Sequence, residues 1–331
     1  MSDETVENGY SGPPPQVSVV IPTYREPAGV RRALLSLFEQ DLPKDQYEIL
    51  VVDSSPDDAV RRTVADLQAD APCTLRLLTK PAEGPGPSRH LGAGRARGAI
   101  IAFMDSDCRA APQWLRHGIA AFANGVGIVQ GRTLPEPDVP LGIFTWYVRI
   151  EQETFIYEGA NIFYRKAAYD QVGGFAPEYC SSAFNTMGGE DLDLAWRVKR
   201  AGWASRFCAE ALVYHEVQPI PVTRWLFIKR HHIWPRLAGQ FPELRPHFFA
   251  RYFFDRHQAC LCLLLVGLTL AAWTPLALLL SLPYAISRGS EPTRTLTGPL
   301  RVIRVLVYLP RDVLSLILLA AGSLRYRSLL L

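Results

Sequence analysis

The chain has 331 residues, a formal net charge of +3 at pH 7 and a hydrophobic fraction of 48%. This length accommodates one large α/β domain with an appendage, or two modest domains. The nearly balanced charge excludes the strongly basic character of a typical nucleic-acid-binding protein, so we expect no nucleic-acid partner. The 6 cysteines form no CxxC pair and no cluster with histidine, which argues against a structural zinc site and indicates reduced, buried thiols.

The first 16 residues are acidic, rich in glycine and proline, and contain no apolar core segment. They are typical of a disordered leader and not of a cleavable signal peptide. We therefore expect a leader at 1–16, a catalytic domain at 17–240 and a membrane-associated helical segment at 241–331, with the catalytic domain on the cytoplasmic side.

After the leader, short apolar runs alternate with amphipathic segments. The pattern predicts strands at 17–21, 48–52, 75–78, 99–104 and 127–130. It predicts helices at 28–40, 56–67 and 88–98, and another from Pro112. This alternation indicates an α/β fold with a mostly parallel, doubly wound sheet, in which ligands bind at the carboxyl ends of the strands.

Asp105 and Asp107 directly follow the buried strand that ends at Met104. Two carboxylates on one turn repel each other unless a cation or a shared proton lies between them. Mg²⁺ and Mn²⁺ are commonly held by one or two carboxylates together with substrate phosphates. We interpret the pair as a Mn²⁺ or Mg²⁺ site beside a diphosphate, and a solvated acidic turn is the alternative.

Other polar segments admit a functional and a structural interpretation. Asp53 ends the second strand and either contacts a base or ribose or caps the next helix. The run Gly188–Asp193 (GGEDLD) supplies either a general base or the acidic first turn of a helix. His215 is either a metal or phosphate ligand or a structural histidine. The stretch 224–236, which contains Arg230, either steadies a leaving diphosphate or contacts anionic lipid.

Taken in order, these segments resemble the family 2 glycosyltransferases, whose nucleotide-sugar domain has the GT-A fold. The resemblance covers roughly residues 15–235 and rests on the ordered set and not on any single piece. The matching pieces are VSVVIPTYRE (17–26), EILVVDSS (48–55), GAIIAFMDSDC (98–108), GANIFYR (159–165), VGGF (172–175) and GGEDLDLAWRVKRAGW (188–203).

The resemblance implies an inverting transfer of a sugar from a nucleotide-sugar donor to an acceptor hydroxyl. Asp191 would be the catalytic base, Asp105 would contact the ribose or the metal, and Asp107 would bind the metal. The remaining implied residues are the donor-binding Pro22, Tyr24, Glu26, Asp53 and Arg89 and the supporting Glu190 and Asp193. Beside them stand two candidates taken from the residue pattern alone, His215 as a further metal ligand and Arg230 as a supporting residue.

The sequence departs from the family pattern at three positions. Ser54 replaces the acidic residue that often follows the aspartate of the second strand, and His90 stands where many members have asparagine. Pro221 occupies the glutamine position of the QxxRW motif of processive synthases, which favours a single-sugar transferase. The alternatives are a sugar-1-phosphate nucleotidyltransferase, which would carry a glycine-rich basic loop in place of 22–26, and an inactive membrane-tethered scaffold.

Two apolar regions follow the catalytic domain. Residues 258–287 contain no charged side chain and are long enough to cross a bilayer. The second region, 302–324, is interrupted by Arg304 and by 311–312, which leaves an uncharged core too short to span. All three flanks carry arginine, so we expect the first region to turn back at Pro275 or Pro283 and the second to lie in the interface. A spanning hairpin and a buried soluble subdomain are the alternatives.

The membrane segment suggests membrane lipids as partners and a glycan or lipid-linked precursor of cell-envelope polysaccharide as the acceptor.

Overall fold

The structure of the chain is a computed structural model that describes residues 6–7, 13–179, 188–226, 228–290 and 301–331. The chain falls into two units. The first unit comprises Met1–Pro140 and Tyr147–Gln218, and the second comprises Leu141–Trp146 and Pro219–Leu331.

The first unit is built around a sheet that has nine strands within the described residues, in the order β1-β4-β3-β2-β5-β9-β7-β10-β6. The strands of the chain are β1 (Val6–Glu7), β2 (Val17–Thr23), β3 (Tyr47–Asp53), β4 (Thr74–Thr79), β5 (Ile100–Met104), β6 (Cys108–Ala110), β7 (Val126–Pro135), β8 (Thr145–Trp146), β9 (Asn161–Arg165), β10 (Ala204–His215) and β11 (Gln218–Pro219).

The helices of the first unit are α1 (Pro27–Phe38), α2 (Ala59–Gln68), α3 (Pro85–Arg95), α4 (Trp114–Ala120), α5 (Lys166–Gln171) and α6 (Glu190–Arg200), with a 3₁₀ turn at Pro177–Tyr179. Those of the second unit are α7 (Val222–Leu226), α8 (Trp234–Gln240), α9 (Arg256–Leu270), α10 (Leu282–Gly289) and α11 (Arg301–Tyr326). It also contains 3₁₀ segments at Lys229–Ile233, Pro242–His247 and Pro275–Ser281.

The parallel part of the sheet confirms the α/β prediction. Strands β4, β3, β2 and β5 are parallel neighbours, and every residue of β2 and β3 is buried. Strands that are covered on both faces by helices have nearly continuous apolar sequences, and the sequences of these strands follow that pattern. Within α1, the residues Val30, Leu34 and Leu37 form the face that packs into the core.

Some boundaries differ from the predictions for local reasons. Helix α2 begins at Ala59 and not at Pro56, because the Asp57 carboxylate accepts a hydrogen bond from the Ala59 N–H and holds a turn before the helix. Val6 and Glu7, within the expected leader, pair antiparallel with β4. The rest of the leader up to residue 12 lies outside the described residues.

Strand β9 interrupts the parallel order, because it runs antiparallel to both of its neighbours, β5 and β7. Its first residue, Asn161, is therefore paired with Met104, the last residue of β5. The Asn161 amide donates to the carbonyls of Arg132 and Ala211, and its oxygen accepts from the Trp114 indole N–H at 2.8 Å. The segment before β9 thus reaches the edge of the sheet at which β5 ends.

The apolar C-terminal regions differ in part from the predictions. The first region forms α9, which ends at Leu270, followed by the segment at Pro275–Ser281 and α10. The charged residues at 304 and 311–312 do not interrupt the second region, which is the single helix α11. Within the described residues, Ile303–Tyr326 is the one helix long and apolar enough to cross a membrane, and its most apolar window has a mean hydropathy of 1.7. Core helices of soluble proteins share these properties.

Candidate functional site

Acidic side chains gather at the edge of the first unit where β2, β3 and β5 end and β9 begins. Asp53 is the last residue of β3, and Asp105 follows β5 directly. Asp191 lies in the first turn of α6, which begins after two glycines with positive φ, Gly188 (131°) and Gly189 (87°). L-residues with a Cβ rarely adopt these angles, so the glycine pair sets the direction in which α6 starts.

Arg89 of α3 joins these acidic groups. Its Nη2 lies 2.6 Å from Asp105 Oδ1, and its Nη1 lies 3.2 Å from Asp191 Oδ1 and 3.9 Å from Glu190 Oε1. The guanidinium is buried, which lowers its pKa, but the charges of Asp191, Asp105 and Glu190 outweigh burial and raise the pKa above its ordinary value. Arg89 therefore remains charged and holds Asp105 and Asp191 near each other.

The second oxygen of Asp191 is held by the backbone. The Gly159 N–H donates to Asp191 Oδ2 at 2.9 Å. A Cβ at position 159 would lie 2.6 Å from Arg89 Cζ and 2.9 Å from Asp191 Oδ1, so no larger residue fits without displacing them. Asp191 is thus fixed through both oxygens, while its side chain keeps 22% of its surface exposed.

Asp107 and His215 form a second cluster at the same edge. His215 Nδ1 lies 2.7 Å from the Glu216 carbonyl oxygen, an arrangement in which Nδ1 carries the proton, and Nε2 lies 3.6 Å from Asp107 Oδ2. Gln218 Nε2 donates to the same Asp107 oxygen at 3.4 Å. Burial and the charge of Asp105 raise the pKa of Asp107 to about 6, and His215 opposes this rise. A partly buried carboxylate of this kind favours a nearby cation.

The donor set of this cluster fits a divalent cation. Ligand atoms of Asp107, Cys108 and His215 lie within 4.8 Å of one another. Carboxylate and imidazole are common ligands of Mn²⁺ and related ions. Burial raises the pKa of the Cys108 thiol well above its ordinary value, so Cys108 stays protonated and contributes little to a hard cation. Asp105, proposed from the sequence as a ligand, uses one oxygen to bind Arg89.

The residues expected to line the nucleotide pocket follow β2 and β3. Pro22 is buried within β2 and pairs with Val52 across the sheet, whereas Tyr24 is exposed. Glu26 accepts a hydrogen bond from Ser106 Oγ at 3.1 Å. The carboxylate of Asp53 accepts from the N–H and the hydroxyl of Ser55 at 2.9 and 2.6 Å. This contact is an Asx turn after the strand and not a helix cap, because α2 begins only at Ala59.

The three expected supporting residues lie in different surroundings. Glu190 is buried near Arg89. The carboxylate of Asp193 points to Arg197, with Oδ2 2.7 Å from Nη2, and Arg197 donates to the carbonyls of Val172 and Gly174. Arg197, which is paired with Asp193, therefore fastens α6 to the VGGF segment. Arg230 lies in the second unit, on the 3₁₀ segment Lys229–Ile233, where it is exposed.

Two residues of the site are missing from the sequence-based prediction. Gly159 opens the GANIFYR piece, and only the structure shows its N–H on Asp191. Glu158 accepts hydrogen bonds from Thr154 Oγ1 at 2.6 Å and Gln130 Nε2 at 3.0 Å. Burial raises the pKa of Glu158, and the charge of Asp191 adds to the rise. The available signal was that Gly159 is the first residue of a quoted motif and that Glu158 directly precedes it, but nothing in the sequence indicated Asp191 as the partner.

Two family models match the chain. The model described as "Glycosyl transferase family 2" matches residues 18–177, and the model described as "Glycosyl transferase family group 2" matches residues 100–321. The second match covers more than half of the 331 residues. The matched ranges contain all the acidic clusters described above.

The chain is also similar to known proteins. It is 27% identical over 214 residues to the glycosyltransferase AglE of Haloferax volcanii, covering 62% of this chain and 68% of that protein. It is 29% identical over 216 residues to the pre-mycofactocin glycosyltransferase of Mycobacterium tuberculosis, covering 60% of this chain and 42% of that one.

The fold is similar to that of the mannosyltransferase PcManGT of Pyrobaculum calidifontis, solved with GDP-Man and Mn²⁺. The TM-score is 0.56 at 18% identity, with 95% of this chain and 87% of that one covered. S. aureus TarS 1-349, solved with UDP-GlcNAc, gives a TM-score of 0.52 at 17% identity, with 95% and 92% covered. These likenesses show the GT-A fold. The chain belongs to glycosyl transferase family group 2 and is a glycosyltransferase.

Proposed function

We propose that this glycosyltransferase moves one sugar from a nucleotide-sugar donor to a hydroxyl of a glycan or a lipid-linked precursor, with inversion at the anomeric carbon and without processive polymerisation. One observation carries the proposal: Arg89 contacts both Asp105 and Asp191, so a donor-side carboxylate and a candidate base lie at one place. The ligands of PcManGT and TarS, GDP-Man and UDP-GlcNAc, support a nucleotide sugar as the donor class.

Asp191 is the proposed general base. Its carboxylate accepts the proton of the acceptor hydroxyl as the oxygen attacks the anomeric carbon. The new carbon–oxygen bond forms on the face opposite the leaving group. The bond to the diphosphate breaks, and its electron pair leaves with the nucleoside diphosphate. Because Arg89 and Gly159 hold both oxygens of Asp191, the base is oriented before the acceptor arrives.

The donor lies, in this proposal, along the ends of β2, β3 and β5. Asp53 and Glu26 are polar groups beside the base and ribose, with Tyr24 exposed to contact the base and Pro22 shaping the floor. Arg89 contacts Asp105, and its buried positive charge would attract the donor phosphates.

Asp107 and His215, with Asp105 beside them, are the residues that would hold Mn²⁺ or Mg²⁺. When bound, the cation would offset the negative charge that develops on the departing diphosphate. The chemistry of the donor set supports this assignment, and so does the Mn²⁺ in the PcManGT structure.

Residues 241–331 are the proposed membrane-associated part, with the catalytic domain of residues 17–240 on the cytoplasmic side. The apolar helices α9 and α11 support membrane association by their length and composition. Arg230 precedes this part of the chain and is proposed to support diphosphate departure or to contact lipid headgroups.

The test is a donor screen. The purified full chain would be incubated with Mn²⁺ and with UDP-, GDP- and dTDP-sugars, and release of the nucleoside diphosphate would be measured with and without candidate acceptors. NMR of the product from the preferred pair gives its anomeric configuration. We expect one nucleotide class to be used and the configuration to be inverted. A retained configuration, or release of the nucleoside diphosphate with none of these donors, would overturn the proposal.

A further inference from the structure

A helical hairpin in the second unit presents an apolar surface to solvent. We call residues 256–289 the apolar hairpin: it consists of α9, the 3₁₀ segment Pro275–Ser281 and α10. Residues 258–287 carry no charged side chain. The exposed fraction rises to 80% at Trp273 and 75% at Leu276, which lie where the hairpin turns. Further exposed apolar residues are Leu263, Val266, Leu268, Leu279, Leu282 and Ile286.

The two ends of the hairpin are fastened to each other and to α11. His257 Nδ1 and Ser287 Oγ are 2.7 Å apart, and both side chains are buried. Arg288 donates to Asp312 of α11 through Nε at 2.7 Å, and the Tyr284 hydroxyl donates to the same carboxylate. The base of the hairpin is therefore fixed by buried polar contacts, while its turn exposes Trp273, Leu276 and Leu279 and carries no charged side chain.

The length of α9 sets how far the turn projects from this base. The helix has 15 residues, which corresponds to about 22 Å at 1.5 Å per residue. The hydrocarbon core of a bilayer is about 30 Å thick. A hairpin of this length enters a bilayer but does not cross it. In the turn after α9, the backbone N–H groups of Trp273 and Thr274 both donate to the Leu270 carbonyl, and that of Ala271 donates to the Gly267 carbonyl. These backbone groups are therefore paired within the hairpin, as insertion requires.

Helix α11 is long enough to span, but its contacts argue against that role. Asp312 lies near the middle of the helix, and its carbonyl accepts from Gln258 Nε2 at 3.4 Å at the base of the hairpin. A spanning α11 would carry Asp312 and its partner Arg288 towards the bilayer centre, where charged groups are costly. The two faces of α11 differ in burial, as expected for a helix that lies in the interface. Arg304, Asp312, Ser315 and Ser323 are buried, and Ile303, Leu306, Ile317 and Leu324 are exposed.

Basic residues surround the base of the hairpin and are absent from its turn. Leu331 donates its backbone N–H to the Tyr252 carbonyl at 2.8 Å, so the end of α11 lies beside the start of α9. Arg251, Arg256, Arg325 and Arg327 are exposed at this end. Anionic headgroups attract such residues, and acyl chains accept the uncharged turn.

We infer that the apolar hairpin inserts into one leaflet of a phospholipid bilayer, with Trp273–Leu279 among the acyl chains and the arginines of its base at anionic headgroups, and that α11 lies in the interface without spanning. This inference deepens the membrane association that forms part of the proposed function. It does not depend on the transfer reaction, on the donor or on the metal.

Vesicle flotation of the full chain tests the attachment. Vesicles of phosphatidylcholine with about 30% phosphatidylglycerol supply the anionic headgroups that attract arginine. They would be mixed with wild type, with Leu276→Glu/Leu279→Glu and with the control Leu35→Glu, which changes an exposed leucine of α1. We expect the double variant to partition at least about tenfold less, because two apolar contacts with acyl chains are replaced by charges, and the control to match wild type. Circular dichroism establishes that all three are folded.

The depth of the turn distinguishes insertion from the other arrangements. Fluorescence of Trp273, obtained by subtracting Trp273→Phe from wild type, should be quenched by lipids brominated on the acyl chains. A Trp273→Cys variant should not react with a membrane-impermeant maleimide enclosed in the vesicle lumen. Reaction from the lumen would show a span. Binding that salt abolishes and the double variant retains would show surface attachment alone. Either result, or no binding of wild type, overturns the inference. Sugar transfer to a soluble acceptor in detergent, measured in parallel, reports separately on the proposed reaction.

Discussion

Arg89 Nη1 lies 3.2 Å from Asp191 Oδ1, although the two residues are 102 positions apart in the sequence. The same guanidinium contacts Asp105 at 2.6 Å. A single buried cation therefore joins the start of α6 to the turn after β5. The proposed base and the proposed donor-side carboxylate consequently share a partner, and a change at either one alters the electrostatic environment of the other.

Asp191→Asn should abolish most transfer and preserve donor binding. The amide keeps the shape of the carboxylate but cannot take a proton, and general bases contribute about 10²–10⁴-fold to rate. Turnover would be measured by nucleoside diphosphate release in the presence of acceptor, and donor affinity by calorimetry. Asp66→Asn, at an exposed carboxylate of α2, is the matched control and should behave as wild type. Turnover within threefold of wild type (roughly 0.6 kcal/mol) would remove Asp191 as the base.

Gly159→Ala should impair transfer without unfolding the chain. The added Cβ would lie 2.6 Å from Arg89 Cζ, so the guanidinium and Asp191 must move apart. We expect a loss of about 10²-fold in turnover, typical of displaced catalytic groups. Gly94→Ala on α3 is the control, because its Cβ meets nothing within 4 Å. That change should raise the free energy of unfolding by about 0.5–1 kcal/mol. Equal activity of the two variants would contradict the assigned geometry.

Arg89→Met should destabilise the first unit as well as weaken the site. Removing one member of a buried ionic cluster leaves carboxylates without their counter-charge and costs about 3–5 kcal/mol. The midpoint of urea unfolding would measure this loss. Arg62→Met, on the exposed face of α2, should leave the midpoint unchanged. If Arg89→Met unfolds at the same urea concentration as Arg62→Met, the cluster contributes nothing to stability.

Metal affinity should fall as the pH drops below about 6. Burial and the charge of Asp105 raise the pKa of Asp107 to about 6, and a cation binds only the ionised carboxylate. Each pH unit below this value should weaken Mn²⁺ binding about tenfold through this group.

The same shift has a consequence for stability. The pKa of Asp107 in the folded chain exceeds the ordinary 3.8, so the unfolded chain releases this proton at a lower pH than the folded chain does. The free energy of unfolding therefore falls as the pH rises from about 4 to about 6. Mn²⁺ should therefore raise the melting temperature more at pH 7.5 than at pH 5.5, as thermal shift assays can measure. In Asp107→Ala, this pH-dependent difference should be much reduced. A wild type that Mn²⁺ stabilises equally at both pH values would contradict the role.

The central strands were predictable because their signal is local. The run 17–21 is apolar except for Ser18, and the structure extends the strand only to Thr23. The start of α6 was harder, because the sequence left open whether the run 188–193 supplies a general base or the acidic first turn of a helix. The structure begins the helix at Glu190, so Asp191 lies in that acidic first turn, where the helix dipole favours negative charge.

The contacts that shape the site were not predictable from local pattern. Asp191 was chosen by resemblance, and nothing near it in the sequence indicated Arg89 or the Gly159 N–H as partners. For Asp193, the sequence could indicate only part of the arrangement. Its spacing from Arg197 fits an ion pair on one helix, but the carbonyls that Arg197 binds belong to a segment about 25 residues earlier, which the spacing does not indicate. Such pairings depend on the tertiary fold. The uninterrupted α11 was missed for a related reason, because Arg288 of another helix offsets the charge of Asp312.

The reversed direction of β9 has a consequence for how the chain acquires its activity during folding. Strands β2, β3, β4 and β5 pair with one another, and these pairings involve only the N-terminal portion of the chain. Gly159 reaches Asp191 only once β9 has entered between β5 and β7. Catalytic competence should therefore appear later than the bulk of β structure in a refolding time course, which makes enzyme activity a sensitive indicator of the last stage of assembly.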